Sequence, residues 1–272
     1  MKIKTILYML LIISFISCKD SNIINPPKQF NTHATENHLF TESIFNKIEL
    51  IIMQAFVDND IVKNNILYTF IDNDPTNSDT LIIDFGNGIP SASISMGSQI
   101  TGKLIIDYTG NYLETNFTGN ISFDDYKINQ TGIQGEMTIE NLGGNFYRID
   151  VLNGLISTNE GTINWNSNKT KEWIEGFSTP NNIYDDKYFL TGKSDGNATN
   201  NTTFSAIISS PLNISVSCIT SSACIIINGE TAIKPENYSE RSVVYNNEEI
   251  GNCDCEVNVI NENNSLSLTI EN

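Results

Sequence analysis

The chain has 272 residues, and 32 acidic residues stand against 15 basic ones for a net charge of −17. That balance excludes nucleic acid as a partner, because phosphates demand clustered lysine and arginine. The length suits one large all-β domain or two small ones, and with only two histidines, both near the N-terminus, a Ser-His-Asp or Cys-His arrangement has no base in the body.

Met1-Lys2-Ile3-Lys4 gives a basic start, and Ile6 to Ile16 forms an apolar run of 11 residues before Ser17 and Cys18. This is the outline of a signal peptide over 1–17. A spanning helix needs about 20 apolar residues, and Lys19-Asp20 stops the run short of that. Phe15-Ile16-Ser17-Cys18 resembles a bacterial lipobox, with Phe15 in place of the usual Leu. Cys18 is then the lipidated first residue of the mature chain, and the membrane is a partner through that anchor. Lys19-Asp20 looks like the short charged export signal of surface lipoproteins in Bacteroidetes-type bacteria. Cleavage would remove Lys2 and Lys4, leaving 255 residues with 13 basic against 32 acidic, a net charge of −19. Such a body is repelled by anionic head groups, so the acyl chains would be the attachment.

Residues 18–40 are polar, carry Pro26-Pro27 and read as a flexible tether, with His33 and His38 solvated on it. From 42 to 57, Ile44, Phe45, Ile48, Ile51, Ile52, Ala55 and Phe56 recur at helical spacing, with Thr41 or Ser43 as N-cap. This amphipathic helix is expected to pack its apolar stripe on a sheet.

After residue 65 the period changes to two. Ile133, Gly135, Met137 and Ile139 share one side of a strand; Leu104, Ile106 and Tyr108 do so in another, and Leu266, Leu268 and Ile270 in a third. Between such runs lie "GNGIP", "NQTG", "NLGGN", "NEGT" and "SDGNATNN", whose Gly and Asn residues accept positive φ. Short strands at turn spacing without helices between them imply antiparallel connections. The expected body, 41–272, is one all-β domain: a large antiparallel meander forming a curved sheet, half-barrel or sandwich, with one N-terminal helix.

Cys218, Cys224, Cys253 and Cys255 remain after the leader. An even number of cysteines in an exported chain favours disulfides, and Cys-x5-Cys with Cys-x-Cys fits a structural zinc site poorly. Cys253 and Cys255 are too close in an extended strand to prefer each other, so each pairs with one of Cys218 and Cys224. By parity all four thiols point to the apolar side of strands.

No phosphate loop, His-Glu-x-x-His or dinucleotide fingerprint is present, and no cofactor is expected. Asp58/Asp60, Asp72/Asp74, Asp124-Asp125 and Asp185-Asp186 invite a calcium reading, but Asn77 and Ile83 stand where an EF-hand starting at Asp72 needs Gly and Glu. Loop solvation accounts better for these acids, and no metal site is assigned. Trp165 and Trp173 flank a segment with Lys169 and Lys171, the kind of aromatic and polar face that binds glycan. Trp165 shares the parity of Ile163 and so belongs to the core, leaving Trp173 as the surface aromatic. Asp79-Thr80-Leu81 resembles a short O-glycosylation signal, with Thr80 as acceptor.

Taken in series, "IDFGNG" (83–88), "GKLIIDYTGNY" (102–112), "ISFDDYKIN" (121–129), "IQGEMTIEN" (133–141), "GTINWNSNKTKEWIEGF" (161–177), "DDKYFLTGKSDG" (185–196), "PLNISVSC" (211–218) and "GNCDCEVNV" (251–259) resemble an uncharacterised family of Bacteroidetes-type lipoproteins with an all-β body and paired C-terminal cysteines. The resemblance covers most of 42–272. It implies the pairs Cys218–Cys253 and Cys224–Cys255 and an outer-membrane, cell-surface address, and it implies no activity, substrate or cofactor. The resulting expectation is a non-enzymatic binding or structural module with an extracellular glycan or protein ligand. The alternatives are an extracellular glycan hydrolase, whose two carboxylates must face one cleft, and a periplasmic lipid or lipoprotein handler, which needs an uncovered apolar concave face.

Overall fold

The computed structural model describes residues 31–57, 66–71, 78–88, 97–220, 224–246, 253–262 and 264–270. One helix, α1 (His33–Val57), precedes thirteen strands. They are β1 (Leu67–Ile71), β2 (Asp79–Asp84), β3 (Ile100–Thr109), β4 (Thr118–Ile128), β5 (Thr131–Gly143), β6 (Phe146–Thr158) and β7 (Gly161–Glu175). After these come β8 (Lys187–Asn197), β9 (Thr203–Ser215), β10 (Ile226–Pro235), β11 (Arg241–Asn246), β12 (Glu256–Asn261) and β13 (Asn264–Thr269). Every strand pairs antiparallel with the next in sequence, so a single open sheet runs from β1 to β13. The expected all-β meander with one N-terminal helix is what the chain forms.

Alternation places the inward face as the sequence reading expects over most of the sheet. Leu104, Ile106 and Tyr108 are buried, as are Ile133, Met137 and Ile139. Hairpin geometry follows from the turn residues: Gly144 and Asn145 both have positive φ (60° and 68°), the type I′ combination that matches strand twist.

Curvature has a local cause. The register shifts at Gly102 and Gly192, where φ is +81° and +132°. A Cβ at either position would stand 2.3 Å from a carbonyl oxygen of the neighbouring strand, Asp125 or Asn168. Bulges of this kind bend a strand and increase its twist. Gly192→Val is therefore expected to cost at least 2–3 kcal/mol, combining a steric clash with an unfavourable φ. Urea unfolding checks this, and a cost below about 0.5 kcal/mol would show that the bulge is dispensable.

The sheet curls around α1. Phe56 meets Tyr108 and Phe117, Met53 accepts a contact from the Tyr188 hydroxyl, and His38 packs on Trp165 and Phe204. All seven positions from Lys47 to Met53 are buried, which a helix lying on a flat sheet by one stripe cannot achieve. The expected amphipathic helix is thus an enclosed one. It also begins earlier than 42: Asn31 Oδ1 accepts the His33 N–H (2.9 Å), so 33–40 is helix and the expected tether is shorter at that end. The apolar period starts late because the first three turns bury Thr35, His38, Thr41 and Glu42 beside the few aliphatic side chains there, Ala34 and Leu39.

Candidate functional site

Two buried ion pairs fix α1 against β7. Along β7, Ile163, Trp165, Ser167, Lys169, Lys171 and Trp173 all point inward. The Lys169 ammonium donates to Glu42 Oε1 and the Lys171 ammonium to Glu49 Oε1. The second pair sits in a polar nest. Tyr112 OH donates to Glu49 (3.2 Å), and the Lys171 ammonium lies 4.4 and 5.0 Å from the ring centres of Tyr188 and Tyr147. Such contacts offset part of the desolvation cost of a buried charge.

Trp173 is buried at 4 % exposure, which corrects its assignment as a surface aromatic. Its indole N–H donates to Asp186 Oδ1 (3.2 Å), and Tyr188 OH donates to Asp186 Oδ2 (2.6 Å). Burial raises the Asp186 carboxyl to about 6 against those two hydrogen bonds. Asp186 is therefore an internal acceptor, and the Asp185-Asp186 pair does not converge on a cation. Asp124-Asp125 lies on β4 at the bulge opposite Gly102. Among the described residues no group of three or more His, Cys, Asp or Glu could hold a metal ion.

The histidines are also corrected. His38 is buried at 2 % exposure, 4.0 Å from Glu42 Oε2, and His33 Nε2 contacts Thr199 Oγ1 (2.7 Å). Desolvation lowers His38 from 6.5 to about 4 despite the Glu42 charge, with Lys169 acting in the same direction as burial. The folded state holds His38 neutral while the unfolded chain takes up a proton at about 6.5. This contribution to stability is complete above pH 6.5 and is lost as pH falls to 4, on the order of 3 kcal/mol in all. Asp186 acts with the opposite sign over its own range. His38→Gln is expected to flatten the decline in stability between pH 6.5 and 4.5, measured by urea midpoints. An unchanged profile would locate the acid sensitivity elsewhere.

Both disulfides form, Cys218–Cys253 and Cys224–Cys255, with Cα–Cα distances of 5.2 and 5.3 Å. The cysteines do not lie within strands as parity suggests. Cys218 is in a 3-10 turn, Val216–Thr220, Cys224 precedes β10, and Cys253 and Cys255 precede β12. Each bridge joins the β9–β10 connection to the start of β12. Two disulfides point to an oxidising, extracytoplasmic compartment. No described helix is long and apolar enough to cross a membrane.

Thr80 sits on the outward side of β2, half-buried, and its hydroxyl donates to Asp107 Oδ1 (2.6 Å). Residues 1–17, Cys18, Lys19-Asp20, Asp58/Asp60 and Asp72/Asp74 lie outside the described residues.

The feature that sequence reasoning missed is a cleft of about 620 Å³ beside the N-terminal half of α1. Three walls form it: Glu36, Asn37, Phe40 and Ile44 of α1, the tips of the β4–β5 and β6–β7 hairpins, and Leu268 to Ile270 at the end of β13. Its size is typical of ligand sites. Glu36 and Glu160 both line it; the Lys47 ammonium, also on its wall, donates to Ser98 Oγ (2.7 Å). Burial lowers Lys47 to about 8. No sequence signal marks the cleft, because its walls come together only when the sheet curls.

The fold and site define a disulfide-stapled open β-sheet, filled by one helix and cleft along its last edge. No family model, curated protein or solved structure matches the chain.

Proposed function

We propose that the protein is an exported lipoprotein, anchored to the outer membrane through Cys18 and facing the cell surface, that acts as a non-enzymatic binding module for an extracellular glycan or protein. The observation that carries the binding role is the cleft at the β13 edge, in a body whose inner face is otherwise occupied by α1. The address rests on the lipobox-like segment at 15–18, the Lys19-Asp20 pair and the resemblance of the strand series to Bacteroidetes-type lipoproteins, together with the two disulfides. Labelling cells with a fatty-acid analogue and shaving them with protease tests it. Wild type is expected to be labelled and shaved, and Cys18→Ala to be neither labelled nor retained. Labelled protein that resists protease would place the body in the periplasm.

Glycan hydrolysis is the second reading, because Glu36 and Glu160 line one cleft. Under it, Glu36→Gln or Glu160→Gln abolishes turnover of a glycan substrate while leaving folding intact. Lipid carriage draws less support, since α1 occupies the concave face that a lipid would need.

A further inference from the structure

Three consecutive residues, Leu268, Thr269 and Ile270, line the cleft. Side chains alternate along a strand, and Ile270 lies just past the end of β13, so a cavity that touches all three wraps the C-terminal end of the strand and meets its edge there. Among the described residues that edge is free: β13 is the last strand of the sheet and pairs with β12 alone. The Ile270 N–H donates to the Cys255 carbonyl (2.7 Å), and the register places Leu268 opposite Val257 and Leu266 opposite Val259. Hydrogen-bonded pairs alternate in an antiparallel ladder. Leu266, Leu268 and Ile270 therefore spend their backbone groups on β12, and Ser265, Ser267 and Thr269 present theirs outward.

Natural edges are blunted by charge, proline or bulges. β13, "NSLSLT", has no charge, no proline and no register shift. Its inner side is also incompletely covered. Leu266 is 41 % exposed although Val259, directly opposite, is fully buried. No residue of β1, the other edge strand, lines the cleft. Around it stand Glu36 and Glu160 against one described cation, Lys47, whose ammonium is turned to Ser98, in a chain of net charge −17.

We propose that the β13 edge is a strand-addition site, at which an extended, lysine- or arginine-bearing segment of a partner polypeptide pairs with Ser265, Ser267 and Thr269 and lays side chains into the adjoining cleft. The proposal rests on the binding-module reading and names its ligand class. Main-chain hydrogen bonds along the edge supply affinity, and the cleft with its two carboxylates selects basic side chains. The apolar walls, Phe40, Ile44 and Leu268, accept the aliphatic stems of those side chains.

The test is selection from a random heptapeptide display library on the folded wild-type protein, followed by titration with synthetic copies of the enriched peptides. Enrichment of basic, β-branched sequences is expected. Ser267→Pro removes one outward N–H and no bond to β12, so the fold is expected to persist, judged by near-UV circular dichroism. Binding should weaken at least tenfold in that variant and several-fold in Glu36→Gln/Glu160→Gln. Peptide should also slow amide exchange at Ser265, Ser267 and Thr269. Equal binding by Ser267→Pro, or protection elsewhere, overturns the proposal. If arrayed neutral glycans bind wild type and Ser267→Pro alike, strand addition fails and the binding module stands. If nothing binds from either source, both fail. A dimer that Ser267→Pro abolishes, with no peptide binding, assigns the edge to a second copy and also overturns the proposal.

Discussion

Glu49→Ala is expected to lower the unfolding free energy by about 3–5 kcal/mol, because it leaves the Lys171 ammonium unpaired in the core. Lys171 is 2 % exposed, and its other contacts are the Tyr112 hydroxyl, the Met53 sulfur and two tyrosine rings. The Asp186 carboxyl also feels the ammonium, but it is held by the Trp173 indole and the Tyr188 hydroxyl and forms no ion pair with it. Lys171→Met should cost a similar amount from the other side, since Glu49 would then keep only the Tyr112 hydrogen bond. The double variant Glu49→Leu/Lys171→Met is expected to regain most of the loss, as buried pairs exchanged for apolar groups usually do. A double-mutant cycle of Glu49→Leu, Lys171→Met and the double variant in urea, followed by the fluorescence of the buried Trp165 and Trp173, measures the coupling. Single variants that each cost less than about 1 kcal/mol would mean that water reaches the pair.

Removing Cys218–Cys253 by Cys218→Ala/Cys253→Ala should cost about 2–3 kcal/mol while Cys224–Cys255 remains, because the second bridge leaves only a short loop for the first to close. Removing both releases a loop with a sequence separation of 35 residues as well, for a total of about 6 kcal/mol on the same unfolded-state entropy. Reduction of both is expected to release β12 and β13 before the rest of the sheet, since both bridges end just before β12. Hydrogen exchange in reductant should then show β12 and β13 opening first, with β5 to β8 still protected. Equal melting temperatures with and without reductant would show that the strands hold by packing alone.

The sheet was legible because burial on one face writes a period of two into the chain, as at Leu104, Ile106 and Tyr108. The ion pairs were half legible. Lys169, Lys171 and Trp173 share the parity of Ile163 and Trp165, and β7 keeps one register with β8 from Asn164↔Asn197 to Trp173↔Tyr188, the shift against β6 being an extra residue in β6. Extending that parity would have placed all three inside. Their helix partners were not legible, because Glu42 and Glu49 look like the wet side of an amphipathic helix unless the sheet is known to surround it. At β13 the period points inward correctly, yet Leu266 stays 41 % exposed because no described element covers that end of the edge. The cleft could not be read at all, since its walls come from four separate stretches of the chain, at Glu36, Ile128, Glu160 and Ile270.

The enclosed helix also has a mechanical consequence. A pull applied at the N-terminal end of α1 is passed by the two ion pairs to β7, the middle one of the thirteen described strands. Because the helix is gripped on every side from Lys47 to Met53, it cannot be peeled away one contact at a time; the grips must fail together, in shear. Asn31 adds an earlier grip, its carbonyl accepting from the Arg241 guanidinium of β11, so the load is shared between β11 and the centre of the sheet. Because α1 is also a wall of the cleft, tension on the helix is felt by whatever the cleft holds.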